Sequence, residues 1–302
     1  MAERDLSVLL DGGSFFEGPR WHEGAWWVSD FYREVVLRVD VDGSCDLVME
    51  VPGEPSGLGW MPDGSLLVVS KKDRKLLRRQ PDRTVSVHAE LAEFCGGDLN
   101  DMVVDIAGRA YVGNFGFDLM NGGDPAPASL ALVDSDGTAR IAAEGLVFPN
   151  GALITPDGGT LIVAETAAAR FTAWAIDQDT GELSDQRVWA QVAPAPELGP
   201  LVETLSQLRF APDGCALDAE GHIWAADALG GRCARVAPGT GEIVEEIPGP
   251  EGLGVFACML GGEDGRTLLL CCAPDFDEHT RRTRREALLV TCTVDVPHAG
   301  LP

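Results

Sequence analysis

The chain has 302 residues, a formal net charge of −25 and no run of 18 apolar residues. We exclude nucleic acid and anionic membranes as partners of so acidic a protein, because clustered lysine and arginine bind phosphate groups. The first residues also lack the basic and apolar regions of a signal peptide, so we expect a cytoplasmic protein without a membrane partner.

A short pattern recurs along the chain and predicts most of its strands. Each copy has a polar residue at its head, a short apolar strand, a turn that contains glycine, and a second apolar strand. The heads of the five clear copies are Glu17, Ser56, Asn100, Asn150 and Asp213, and a weaker sixth copy runs from about 254 to 265. Consecutive heads are 39 (17 to 56) to 63 (150 to 213) residues apart, which is the size of a four-stranded propeller blade with variable loops.

This repeat predicts an all-β fold, a six-bladed β-propeller with four-stranded antiparallel blades around a central metal-containing channel. We expect a single domain over residues 1–302. A strand at about 6–10 should pair with the C-terminal strand near 287–294 and close the ring, because pairing removes an open sheet edge. Further strands are predicted at 25–29, 34–40 and 45–50 in blade one, and at 222–226, 232–236 and 243–247 in blade five.

Segments outside the repeat carry weaker indications. The basic residues at 71–79 and 281–285 are interpreted as solvated hairpins. Insertions at 117–129 and 192–207 are too long for hairpin turns, and such loops either cover a site or are neutral. The eight cysteines form no C-x-x-C pair, so we expect reduced and mostly buried thiols.

The repeat brings its heads together, because the innermost strand of every blade borders the central channel. Glu17, Asn100, Asn150 and Asp213 offer oxygen atoms, which favour a hard cation: Ca²⁺ first, with Mg²⁺, Mn²⁺ or Zn²⁺ as alternatives. Zn²⁺ would be expected to use histidine or cysteine, and none of the five histidines is in this register. Each head also has a plain interpretation: Asp213 stands in a Pro-Asp-Gly turn, and Asn150-Gly151 is a common hairpin turn.

Several motifs resemble one known family when taken in order. They are Glu17-Gly18-Pro19-Arg20-Trp21, Asn100-Asp101, Asn150-Gly151 and Asp213-Gly214. Together they resemble the senescence marker protein 30, gluconolactonase and regucalcin family over about residues 12–295. That resemblance implies a six-bladed propeller that holds one divalent cation, and many members of the family hydrolyse sugar lactones.

The resemblance also implies roles for individual residues. It makes Glu17, Asn150 and Asp213 metal ligands, and it matches Asn100 to an asparagine that contacts substrate or serves as a fourth ligand. Asp118 lies where many sugar lactonases keep an acidic substrate contact. Two residues before Asn100 the chain has Asp98 instead of the family arginine. Phenylalanines at 115, 117, 148 and 171 suggest a more apolar pocket, and Phe115 is a candidate substrate contact.

We therefore predict a divalent-metal-dependent hydrolase that opens a small-molecule lactone. The metal would act as a Lewis acid and a carboxylate as general base. The resemblance favours Asp213 as that base, and Asp101 is the reserve candidate. The alternatives are a phosphotriesterase similar to the diisopropylfluorophosphatases and a calcium-binding propeller without catalytic activity.

Overall fold

Short apolar strands joined by glycine turns form six four-stranded antiparallel sheets in a computed structural model that describes residues 4–300. The innermost strands β2, β6, β10, β14, β18 and β22 contact one another in cyclic order, so the sheets form the blades of a closed ring. The predicted six-bladed β-propeller is confirmed. None of the helices within residues 4–300 is long and apolar enough to cross a membrane.

The strands follow the order of the chain from the channel outward. Blade one consists of β2 (Phe16–His22), β3 (Ala25–Asp30), β4 (Val35–Val39) and β5 (Cys45–Glu50). Blades two and three consist of β6 (Pro55–Trp60), β7 (Leu66–Ser70), β8 (Lys75–Arg79), β9 (Val85–Glu90), β10 (Leu99–Val104), β11 (Ala110–Asn114), β12 (Ala128–Val133) and β13 (Ala139–Leu146). Blades four and five consist of β14 (Pro149–Ile154), β15 (Thr160–Glu165), β16 (Arg170–Ile176), β17 (Leu183–Gln191), β18 (Pro212–Leu217), β19 (Ile223–Asp227), β20 (Arg232–Val236) and β21 (Ile243–Pro248).

Blade six joins the two ends of the chain. It consists of β22 (Gly254–Gly261), β23 (Thr267–Ala273), β24 (Ala287–Thr293) and the first strand, β1 (Ser7–Gly13). β1 pairs antiparallel with β24, which confirms the predicted closure of the ring. Two short α-helices lie in loops: α1 (Leu201–Gln207) before β18 and α2 (Glu278–Arg281) before β24.

A bulge at the start of each inner strand explains why most heads of the repeat are followed by glycine. The pairing register skips just after Glu17, at Asn150 and at Asp213, and such a skip redirects a side chain away from the regular pleat. A Cβ atom at Gly18 would lie 2.7 Å from the Ser56 carbonyl oxygen, and one at Gly151 would lie 2.6 Å from the carbonyl oxygen of Asp213. The glycines therefore let neighbouring inner strands approach closely around the channel.

The two basic segments that were interpreted as solvated hairpins are solvated only in part. Lys71, in the run expected to be solvated, is fully buried, and its Nζ atom lies 2.6 Å from Glu54 Oε2. Arg281 is also buried and forms ion pairs with Asp275 and Glu286. The other basic residues of both segments are exposed or partly exposed. Of the eight cysteines, which are all free, six are buried, as the composition indicated.

Candidate functional site

One pocket opens over the channel at the end where the inner strands begin. Its floor contains Glu17, Asn100, Asn150 and Asp213, so the structure brings together the four predicted metal ligands. The inner strand of blade six contributes Phe256 at its own register skip. The sequence pattern did not identify this sixth head, because it carries no polar group and no following glycine.

The two carboxylates of the floor are buried and close enough to affect each other. Burial raises the pKa of Glu17 well above its usual value, and the charge of Asp213 raises it further. Burial also raises the pKa of Asp213 well above its usual value, with a second contribution from Asp101. Such desolvated acids favour the charged form when a cation is beside them. The donor set therefore fits a divalent cation held by oxygen atoms.

The two asparagines of the floor use their amide nitrogens to bind the scaffold. Asn100 Nδ2 donates to the Pro149 carbonyl oxygen and Asn150 Nδ2 donates to Thr166 Oγ1, each at 3.2 Å. The Thr166 hydroxyl in turn donates to the Pro212 carbonyl oxygen at 2.7 Å. This leaves the Oδ1 atoms of both asparagines available to a ligand. Within residues 4–300, no three His, Cys, Asp or Glu side chains are arranged to hold a metal, so the candidate site depends on these carboxamides.

A second ring of residues surrounds the floor, and sequence reasoning missed it as a set. In five blades, the residue that follows the second strand donates its backbone N–H to the residue that precedes the inner strand. The donors are Phe31, Lys71, Phe115, Thr166 and Ala228, and the acceptors are Phe15, Glu54, Asp98, Phe148 and Ala211. All but Lys71, Glu54 and Asp98 line the pocket. In the sequence, the residue just after the second predicted strand of each blade would have indicated this ring.

Two predicted site residues, Asp101 and Asp118, lie outside the pocket lining. The carboxylate of Asp101 accepts hydrogen bonds from Arg20 Nη2 and from the Met102 N–H, each at 2.8 Å. An ion-paired carboxylate in this position is poorly placed to take a proton from a molecule in the pocket. Asp118 is exposed and caps the short 3₁₀-helix Leu119–Asn121, where its Oδ1 accepts from Asn121 Nδ2 at 3.0 Å. The structure therefore does not bring Asp118 to the pocket.

The predicted phenylalanine cluster is largely present. Phe115, Phe117 and Phe148 line the pocket, and the rings of Phe115 and Phe117 meet Phe148 edge to face with centroids 4.9 and 5.7 Å apart. The prediction is wrong for Phe171, because this residue lies within β16 and packs in the core against Trp189.

Asp98 does not line the pocket, and its Oδ2 lies 3.9 Å from Lys72 Nζ.

Comparisons with known proteins agree with this geometry. The family model for the SMP-30/gluconolactonase/LRE-like region matches residues 15–273. The chain is 30% identical to the pentonolactonase XacC of Haloferax volcanii, over 71% of this chain and 67% of that protein. It is 27% identical to regucalcin of Danio rerio, over 63% of this chain and 59% of that protein. A solved structure described as a calcium-binding protein, regucalcin, from Agrobacterium tumefaciens superimposes with a TM-score of 0.78 at 22% identity and covers 100% of this chain and 99% of that one.

Proposed function

The chain belongs to the SMP-30/gluconolactonase/LRE-like family, and from this premise we propose that it is a divalent-cation-dependent hydrolase that opens lactones. One observation carries the proposal: two buried carboxylates and two carboxamides, at equivalent positions of four inner strands, form the floor of one pocket. A relative named as a pentonolactonase supports the choice of lactones.

Glu17, Asn100, Asn150 and Asp213 are the residues that would hold the cation. All four offer oxygen, so Ca²⁺ is the first candidate, and the similar solved structure described as calcium-binding supports that choice. When bound, the cation supplies Lewis acidity toward the lactone carbonyl. The Thr166 hydroxyl accepts from the amide nitrogen of Asn150, which would leave Asn150 Oδ1 free to bind the cation.

We assign Asp213 as the general base. It lines the pocket, whereas the other candidate, Asp101, is engaged with Arg20. An Asp213 carboxylate oxygen would accept a proton from the attacking water. The aromatic walls formed by Phe15, Phe115 and Phe148 would keep further water away from the ester.

The test is hydrolysis of a lactone panel by the protein after chelation and after Ca²⁺, Mg²⁺ or Mn²⁺ is restored. We expect activity to vanish with the chelator, to return with one cation, and to fall about 1,000-fold or more in Asp213→Asn. Asp157→Asn is the matched control, because Asp157 stands in the same Pro-Asp-Gly tripeptide at an exposed turn. Full activity in chelator, or in Asp213→Asn, would overturn the proposal.

Hydrolysis of a phosphotriester is a second candidate, because all four oxygen-bearing heads line the pocket and could coordinate the cation together. A phosphotriester in the same panel distinguishes the two reactions. Calcium binding by calorimetry without turnover of either substrate class would instead indicate a binding protein.

A further inference from the structure

The walls of the pocket leave a substrate little to hydrogen-bond with above the floor. Among the described residues, only three in the walls carry a polar side chain, and each hydroxyl donates to a backbone carbonyl oxygen. Tyr32 donates to Phe276 at 3.1 Å, Thr166 to Pro212 at 2.7 Å and Thr204 to Gly199 at 3.2 Å. Within the described residues, the lining includes no lysine, arginine or histidine. A hydroxyl or carboxylate carried by the substrate would lose its water here without a matching partner.

Three loops supply further apolar groups of these walls. The loop between β11 and β12 contributes Leu119, Met120 and Pro125, and the loop between β23 and β24 contributes Phe276. The segment before β18 contributes α1. Both long insertions that the sequence left open as site covers or neutral loops therefore face the pocket.

The apolar face of helix α1 is directed toward the pocket. Leu201, Leu205 and Leu208 recur at helical spacing and line the pocket, whereas Val202, which lies off this face, is 78% exposed. Leu201 and Leu205 are only partly buried although they face the pocket. An apolar ligand would cover the leucine surface that the protein itself leaves open.

We propose that the substrate is a lactone with an apolar alkyl or aryl substituent, which the walls bind while the ring carbonyl meets the floor. This inference rests on the proposed function. In the reaction, the oxygen of water bonds to the carbonyl carbon, the ring C–O bond breaks, and the ring oxygen takes a proton to give a hydroxy acid. The substituent takes no part in these steps, so it contributes through binding.

The inference is tested by binding and by turnover in parallel series. Binding to the Ca²⁺-loaded protein is measured by calorimetry with 5-alkyl-2-pyrrolidinones from ethyl to octyl, lactam analogues that resist hydrolysis. Turnover is measured with the corresponding γ-alkyl-γ-butyrolactones and with glucono-δ-lactone. We expect affinity to rise about three- to fourfold for each added CH₂ group until the wall is filled. We expect kcat/KM for octyl lactone to exceed that for glucono-δ-lactone by about 100-fold or more, because each hydroxyl without a partner lowers affinity by about tenfold.

The outcomes separate the two proposals. Affinity that rises with chain length, without turnover of any lactone, keeps an apolar ligand in the pocket and overturns the proposed function. Rapid opening of glucono-δ-lactone, with affinity independent of chain length, overturns the apolar inference and leaves the proposed function standing. Failure of both series overturns both.

Two variants of α1 test whether the wall causes the rise in affinity with alkyl chain length. Leu205→Gln should lower affinity for the octyl lactam about tenfold and change affinity for the ethyl lactam less than twofold. Val202→Gln, on the exposed face of the same helix, should change neither. An equal loss for both lactams in Leu205→Gln, or no loss for either, would contradict the inference.

Discussion

The floor of the pocket presents oxygen atoms from four inner strands, whereas its walls present mostly aromatic and aliphatic groups, many of them from loops. The floor depends on the bulge that every inner strand repeats at its start, so its geometry belongs to the scaffold. The walls depend on insertions such as the segment with α1, whose lengths differ from blade to blade. We infer from this contrast that different segments of the chain determine the reacting groups and the substrate preference of this protein.

Glu17→Gln should produce the largest effect, because it removes one of the two carboxylates of the floor. We expect cation affinity to fall about 1,000-fold or more, since a neutral amide replaces a charged ligand. Burial raises the pKa of Glu17 well above its usual value, so without a cation its ionised form opposes folding. The protonated form of Glu17 has no such cost, so the stability that it allows is fully present below about pH 4.5, the usual pKa of the group. That stability is lost as the pH rises through the higher pKa of the folded state.

Thermal unfolding in chelator therefore checks the same variant independently of activity. At pH 7 to 8, Glu17→Gln should be more stable than the unaltered protein, and the difference should shrink toward pH 4. Added Ca²⁺ should reverse the order. Glu50→Gln, at the exposed end of β5, is the control and should change neither quantity. A cation affinity unchanged in Glu17→Gln would mean that the floor is not the cation site.

Blade two departs from this arrangement, because it has a charged pair where blade one has apolar wall residues. Where blade one has Phe15 and Phe31, blade two has Glu54 and Lys71 at the same backbone hydrogen bond. Lys71 Nζ lies 4.6 Å from the centroid of the Phe31 ring, and Arg282 also donates to Glu54. Burial lowers the pKa of Lys71, and the nearby Glu54 carboxylate partly opposes this effect by raising the pKa. The ion pair thus stands directly behind the aromatic wall.

Lys71→Met tests whether this pair supports the wall. We expect a loss of about 3 kcal/mol in the free energy of unfolding, because removal of one partner leaves a buried charge poorly compensated. Adding Glu54→Gln should recover part of that loss, which a double-mutant cycle by urea unfolding would measure. Lys75→Met lies in the same basic run but forms an exposed ion pair with Glu90, and it should change stability by about 0.5 kcal/mol or less. Equal effects of both lysine variants would contradict a structural role for the pair.

The same contrast explains what the sequence could predict. The fold and the four floor residues follow from a repeated local pattern, in which a head such as Asn150 is always followed by a strand and a turn. Lys71 could not be assigned from its basic neighbours, because its burial depends on a hydrogen bond to Glu54 across the blade. Phe171 and Asp118 were misplaced for a related reason. Whether a side chain in a loop or an outer strand reaches the channel depends on packing between blades, which has no fixed spacing along the chain.

Thr166→Val should have the smallest effect, because it alters the support of the floor and not the floor itself. The variant keeps the shape of the side chain but removes the acceptor of Asn150 Nδ2 and the donor to the Pro212 carbonyl oxygen. Groups that orient a metal ligand typically contribute 10- to 100-fold in affinity, and we expect a loss of about tenfold for Ca²⁺ by calorimetry.

Thr166 also lines the pocket, but valine keeps the shape of its side chain, so affinity for an apolar lactam in saturating Ca²⁺ should stay within about twofold. Thr293→Val, at the exposed end of β24, serves as the control for the loss of a threonine hydroxyl. If Thr166→Val weakened lactam binding as much as Ca²⁺ binding, floor and walls would be coupled through this hydroxyl, and the separation between them would be wrong. Loss of Ca²⁺ affinity alone would instead locate the role of Thr166 in holding Asn150, one step behind the cation.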